Sequence, residues 1–254
     1  MITRAFENRR TLAATLSLAG ALAIVLLSLT AAALGGNKTA ALYPRTIKLT
    51  DDKIAHWAVL MRPAVVRSKP GLASRIITKL PTGTTDGTQN DVLVLSRTDL
   101  SPRQSWYRVR LPILPNNTIG YIKAGDLSPL FAVNTHLYIN RSALTATLKR
   151  SGKVVFKTRV GVGKSIWPTP RGEFYVRDKL TRYGNPFYGP VMFGISARSA
   201  VLTDWPGGGY VGIHGTNAPR LIPGHVSHGC VRLRNASIVR LARLMGVGTP
   251  LTIH

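Results

Sequence analysis

From about His56 to its carboxyl end the chain is written in short runs rich in Val, Ile, Leu and Tyr. Gly, Pro, Asn or Asp interrupts these runs at the spacing of roughly 8–12 residues that marks an all-β sandwich or barrel. Such runs fit strands and are too short to bury the face of a helix. One helical period appears, near the carboxyl end: Ile238, Val239, Leu241, Ala242, Leu244 and Met245 share a face, with Arg240 and Arg243 opposite. Asn235 stands as its N-cap and Gly246 as its stop. With 44% apolar and 17% charged residues, the 254-residue chain has material for a core and for one or two domains, and it does not match a disordered composition.

Ahead of the β-rich part, Thr11–Gly36 runs for 26 residues without a charge and is preceded by Arg4, Arg9 and Arg10. As a helix it would reach about 39 Å, enough for a hydrocarbon core of about 30 Å. The flanking arginines place residues 1–36 as a cytoplasmic tip and transmembrane segment, with everything after them exported. The segment reads as an uncleaved anchor, although Ala31, Ala32 and Ala33 are small residues of the kind a signal-peptide cleavage site uses. A lone Cys, at position 230, cannot build a disulfide framework, and outside the cytoplasm its retention points to deep burial or to a chemical task.

The formal net charge of +24 predicts an anionic partner: nucleic acid, a membrane surface or an acidic wall polymer. It is spread along the chain, +2 over residues 1–36, +8 over 37–130 and +14 over 131–254. No Lys/Arg run resembles a nucleic-acid tail, so nucleic acid is set aside. Gly161-Val-Gly-Lys-Ser165 looks like the end of a phosphate-binding loop, but Thr158 stands where the first Gly is needed and Pro168 and Pro170 forbid the helix that must follow.

Residues 37–55 are polar and unpatterned and read as a linker. Residues 56–130 carry four recognisable pieces: Ala64–Gly71, Ile76–Gly83, Ser105–Arg110 and Ile119–Leu127. Their succession resembles a bacterial Src-homology-three-type β-barrel. Pro70 and Gly71 supply its turn, Trp106 and Tyr107 its packing, and Tyr121 stands where the family often has Trp. The resemblance implies a module that binds wall peptides or acts as a spacer.

Residues 131–254 hold the chemistry. Three of the six histidines, His214, His225 and His228, lie close to Cys230 in sequence. A free thiol is mostly protonated near neutral pH, so a nucleophilic Cys needs an imidazole or a positive field beside it. The same four side chains are also proper zinc ligands, but no acidic residue follows Asp204 to serve as base or outer partner.

The Ile213-His-Gly-Thr216 and Ser227-His-Gly-Cys-Val-Arg-Leu233 pieces, at this separation, resemble the signature of the L,D-transpeptidase catalytic domain of bacterial cell walls. So do the Thr169-Pro-Arg-Gly-Glu-Phe174 turn and the start at His136–Asn140, followed by a hairpin around Ser151-Gly152 and a strand ending at Gly161. The resemblance implies a β-sandwich-like catalytic domain with few helices, following the small barrel. It makes Cys230 the nucleophile and His214 the base and later acid. His228 with the backbone of Gly229 and Cys230 would orient the thiolate and form the oxyanion hole. Arg232, Thr216, Ser227 and Asn235 would contact substrate.

The implied function is a peptidoglycan L,D-transpeptidase that joins stem peptides through a cysteine thioester, without metal or cofactor. Its expected partners are stem peptides, the inner membrane through the N-terminal helix, anionic wall polymers and carbapenem-type inhibitors. Its expected place is the extracytoplasmic side of a bacterial cell envelope, anchored in the cytoplasmic membrane. The alternatives are an L,D-carboxypeptidase using the same site, a non-catalytic wall-binding protein, and a zinc hydrolase.

Overall fold

A computed structural model describes residues 42–254 apart from 86, 182–183 and 203–208. The expected transmembrane segment Thr11–Gly36 lies outside the described residues, and among these no helix is long and apolar enough to cross a membrane. The described chain is mainly β, with a single α-helix among the described residues.

The first sheet is built from β1 (Arg45–Lys48), β2 (Ala55–Val59), β3 (Ala64–Arg67), β4 (Ile76–Leu80), β5 (Asp91–Ser101), β6 (Gln104–Arg110), β7 (Ile119–Lys123) and β8 (Phe131–Val133). Its order is β4-β3-β7-β6-β5-β2-β8, with β1 also on β5. Alternate residues of these strands turn inward, and Val66, Val92, Val94, Val109 and Ile122 pack on one another as a core belonging to this sheet. Trp106 is 1% exposed, and Tyr107 packs against that core.

Two boundaries differ from the sequence reading. The stretch read as a linker contains β1, which pairs Arg45↔Asp99 through Lys48↔Ser96. All four residues of β1 are exposed, so the strand leaves no apolar alternation to recognise. At the other end, Phe131–Val133 pairs with β2 instead of opening the second sheet, and Phe131 stacks on Trp57 with centroids 4.7 Å apart.

The second sheet contains β9 (Thr135–Asn140), β10 (Thr145–Arg150), β11 (Lys153–Arg159), β12 (Gly161–Gly163), β13 (Gly172–Leu180), β14 (Met192–Arg198), β15 (Tyr210–His214), β16 (Gly224–Ser227), β17 (Val231–Arg232) and β18 (Pro250–Ile253). Its order is β11-β10-β9-β18-β13-β14-β15-β17-β12-β16. The expected hairpin around Ser151-Gly152 joins β10 to β11. Helix α1 (Asn235–Leu244) presses Ile238, Leu241 and Ala242 onto this sheet and leaves Arg240 and Arg243 outward. Its N-cap position is Arg234, without a side-chain cap, and not Asn235 as the sequence suggested.

The sheets pack directly on each other. Tyr175 of β13 is fully buried beside Ala55 and Leu93, and its hydroxyl donates to Asp91 O at 2.9 Å. Asn116 grips the end of β14 with both halves of its amide: Nδ2 donates to Arg198 O at 2.7 Å, and Oδ1 accepts from Arg198 N–H at 2.9 Å. Tyr210 Oη donates to Pro112 O at 3.0 Å. Gly248, at φ +79°, lies under Trp57 so closely that a Cβ there would fall 2.1 Å from the indole.

Candidate active site

The site rests on a parallel pairing. β15 and β17 run side by side in the register Ile213↔Val231 and His214↔Arg232. Successive side chains of a strand point to opposite faces, so Ile213 and Val231 enter the core, each 0% exposed. Gly212, His214, Cys230 and Arg232 therefore share the other face. Gly212 N–H donates to Cys230 Sγ at 3.3 Å, which sets the sulfur against β15 one alternation away from the imidazole. Residues 214 and 230, separated by a long loop, thus line one narrow cleft of about 40 Å³, together with Tyr188, Tyr210, His228 and Arg232.

The loop that presents the sulfur is fixed from within. Gly229 adopts φ +118°, a backbone region that L side chains rarely enter. Ser227, 0% exposed, donates from Oγ to Cys230 O at 2.5 Å and accepts from Gly229 N–H at 3.1 Å. From the other side Thr169 Oγ1 donates to Gly229 O at 2.8 Å while accepting from Gly163 N–H at 2.9 Å. The exposed ring of His228 lies on Trp167, centroids 4.2 Å apart.

Burial sets the protonation states. His214 is 1% exposed, and its Nδ1 lies 2.6 Å from Gly215 O. A carbonyl only accepts, so Nδ1 carries the hydrogen and Nε2 keeps its lone pair for a proton. Burial pushes the imidazole down to about 4, with the Arg232 charge adding to the effect and the Gly215 carbonyl opposing it. Burial also raises the Cys230 thiol, against the pull of Gly212 N–H and Arg232. The resting pair is therefore a neutral thiol and a neutral imidazole, where the sequence argument anticipated a thiolate. Arg232, 8% exposed, stacks its guanidinium over Phe187 at 4.5 Å, and its buried Nε has no hydrogen-bond partner.

Several expected roles move. Thr216, expected to contact substrate, is 2% exposed: its N–H donates to Asn235 Oδ1 at 2.8 Å, and its hydroxyl accepts from Ala218 N–H at 3.0 Å. Asn235 is likewise engaged in holding the turn after His214, as the first residue of α1. Ser227 spends its hydroxyl on the Cys230 loop. Gly229 N–H, expected in the oxyanion hole, is taken by that hydroxyl. His225 is exposed and donates from Nδ1 to Gly163 O at 3.3 Å.

Sequence reasoning missed Tyr188, whose ring meets His214 edge-on at 4.9 Å, and Phe187 beneath Arg232. It named the turn at Thr169 without seeing that its hydroxyl braces Gly229. Among the described residues no three His, Cys, Asp or Glu side chains come together to hold a metal ion.

The sequence profile of the L,D-transpeptidase catalytic domain matches residues 134–253. The chain is 32% identical over 124 residues to a Bacillus subtilis (strain 168) protein named as the L,D-transpeptidase YkuD, covering 49% of this chain and 68% of that protein. The Bacillus licheniformis YkuD is 31% identical over 115 residues, and the matched stretch spans 62% of its length and 45% of this chain. Among solved structures, the catalytic domain of the Enterococcus faecium L,D-transpeptidase is 26% identical, covering 47% of this chain and 96% of that one with a TM-score of 0.37.

Proposed function

The chain belongs to the L,D-transpeptidase catalytic domain family, and from that membership we propose that it cross-links peptidoglycan stem peptides through a thioester on Cys230. The observation that carries this reading is the cleft that Cys230 shares with a neutral, hydrogen-bonded imidazole on the neighbouring parallel strand.

As Sγ attacks the carbonyl carbon of the third residue in a donor stem, His214 Nε2 takes the thiol proton. The bond to the terminal D-Ala nitrogen then breaks, the proton passes from His214 to that leaving amine, and a thioester remains. The side-chain amine of the third residue in a neighbouring stem attacks the thioester. His214 removes its proton and returns it to sulfur, and a 3→3 cross-link is released. The acyl-enzyme conserves the energy of the donor bond, so no nucleotide is needed outside the cytoplasm. With Gly229 N–H engaged by Ser227, the backbone N–H of Cys230 is the donor assigned to the oxyanion of both tetrahedral intermediates. Arg232, buried beside the sulfur with an unpaired Nε, is the group assigned to a substrate carboxylate.

In this reading Thr11–Gly36 anchors the enzyme in the cytoplasmic membrane, and the first sheet is a Src-homology-three-type module facing the wall. The test is product analysis: purified protein incubated with disaccharide tetrapeptide, followed by mass spectrometry. Dimers joined 3→3 support the proposal. Trimmed tripeptide monomers alone would make the site an L,D-carboxypeptidase. A cellular effect that survives Cys230→Ala would make the protein a non-catalytic wall binder.

A further inference from the structure

The reaction needs two peptides, a donor and an acceptor, and the cleft around Cys230 is lined by Cys230, His214 and Arg232, the groups assigned to the donor step. A second cleft of about 640 Å³ lies across the turn that carries Trp167. Arg141, Lys164, Arg171 and His225 line it, and no carboxylate does.

This second cleft is joined to the nucleophile. Thr169 forms part of its wall, and the same residue's hydroxyl holds Gly229 O, next to Cys230. Trp167 touches residues of both clefts: its ring lies 4.2 Å from that of His228, which lines the first, and 5.9 Å from the Lys164 ammonium, which lines the second. Arg141 donates to Thr169 O and keeps a buried Nε without a partner. Arg171 is exposed and makes no ion pair with any described residue. Burial, and after it the positive charge of Arg171, makes the Arg141 guanidinium easier to deprotonate. Like charges gathered in one cleft repel until an anion lies between them.

We infer that this basic cleft holds the carboxylate end of the acceptor stem peptide, so that the peptide's side-chain amine crosses the Trp167 rim to the thioester on Cys230. The inference rests on the transpeptidase reading above. The amine-bearing third residue adjoins the carboxyl-terminal one, so a carboxylate held among Arg141, Lys164 and Arg171 keeps the amine about one residue, roughly 3.5 Å of backbone, plus its own side chain away. An anionic wall polymer would satisfy the charges equally well. It brings no amine to the acyl group, however, whereas a stem peptide does.

The test uses the described enzyme with a labelled acceptor peptide in two forms, one with a free terminal carboxylate and one with that group amidated. Dimer formation is read by mass spectrometry, and Cys230 acylation by a carbapenem is measured separately. Arg171→Ala and Lys164→Ala alter exposed side chains and leave the fold alone. For Arg171→Ala the expected result is an acceptor KM raised about tenfold for the free acid, the loss of one charge-assisted hydrogen bond. The amidated acceptor starts with the higher KM and barely responds to the substitution, and the carbapenem acylation rate stays within about twofold in both variants.

An acceptor KM that does not move, or that moves equally for acid and amide, overturns the inference. So does an oligomer of glycerol phosphate that competes with the acceptor in wild type and not in Arg171→Ala, which would make the cleft a polymer site. Failure of Cys230 to acylate in folded wild-type protein is the separate result that removes the transpeptidase reading and this inference with it.

Discussion

Ser227→Ala isolates the bracing of the nucleophile from its chemistry. The hydroxyl removed is 0% exposed and makes two hydrogen bonds, to Cys230 O at 2.5 Å and from Gly229 N–H at 3.1 Å. The vacancy left by one oxygen does not rehydrate well in so tight a place, so a buried donor and a buried acceptor lose their partner together. At about 1–3 kcal/mol for each unsatisfied group, the loss comes to about 2–6 kcal/mol. For a folded unit of this size each kcal/mol moves the melting temperature by about 2–4 °C, so a drop of about 4–24 °C is expected in a thermal-shift assay. The second readout is the rate at which a carbapenem acylates Cys230. A sulfur displaced by a fraction of an ångström leaves the attack geometry, and a fall of about 10- to 100-fold is expected even in protein that is fully folded at the assay temperature. A variant that melts within 1 °C of wild type and acylates at the wild-type rate refutes the idea that this hydroxyl sets the loop.

Three further outcomes follow from the same contacts. Because burial holds the His214 imidazole at about 4, the acid limb of the acylation profile has its midpoint near pH 4, well below the ordinary histidine value of about 6.5, and the rate is flat from about pH 5 to 8. The unfolded chain binds that proton more readily than the folded one, so His214 contributes its full stability above about pH 6.5 and loses about 3 kcal/mol as pH falls to about 4, measurable by urea titration at several pH values. Asn116→Ala removes both hydrogen bonds to the Arg198 backbone, which adjoins Ser199 at the edge of the Cys230 cleft. A loss of about 1–3 kcal/mol is expected, with slower acylation, and a variant unchanged in both would show that the first sheet does not steady the cleft. Gly248→Ala combines φ +79° with a Cβ 2.1 Å from Trp57, which is itself held by Phe131; a destabilisation of about 2–4 kcal/mol is expected in urea unfolding.

The parts of this molecule that were legible in the sequence are those written in local spacing. Ile238, Leu241 and Ala242 advertise the buried face of α1 because a helix repeats every 3.6 residues. The Ser151-Gly152 turn is equally local. Cys230 and His214 stood out by residue type and motif, and the β15–β17 register then accounts for their common face.

What escaped depends on partners far away in the chain. Asn235 has every local mark of an N-cap, yet its amide is drawn to Thr216 N–H by the packing of α1 against the turn after His214. The family resemblance implied that Ser227 contacts substrate, while its hydroxyl serves the loop itself. β1 has a single apolar residue, Ile47, and all four of its residues are exposed, so no alternation in Arg45–Lys48 announces a strand. Tyr188 and Phe187 reach the site from a short 3-10 turn, Pro186–Tyr188, that no periodicity marks. The thiolate was expected from an imidazole or a positive field beside the sulfur, neither of which reports burial, and burial of both groups favours the uncharged pair.

The central claim is that the Cys230 sulfur becomes acylated with His214 as its base. Intact-mass analysis of the protein after incubation with a carbapenem, followed by peptide mapping, tests it most directly. The account predicts one adduct per chain on Cys230, absent in Cys230→Ala and formed at least about 100-fold more slowly in His214→Gln. Folded wild-type protein that takes up no adduct, or an adduct that forms as fast without His214, contradicts it.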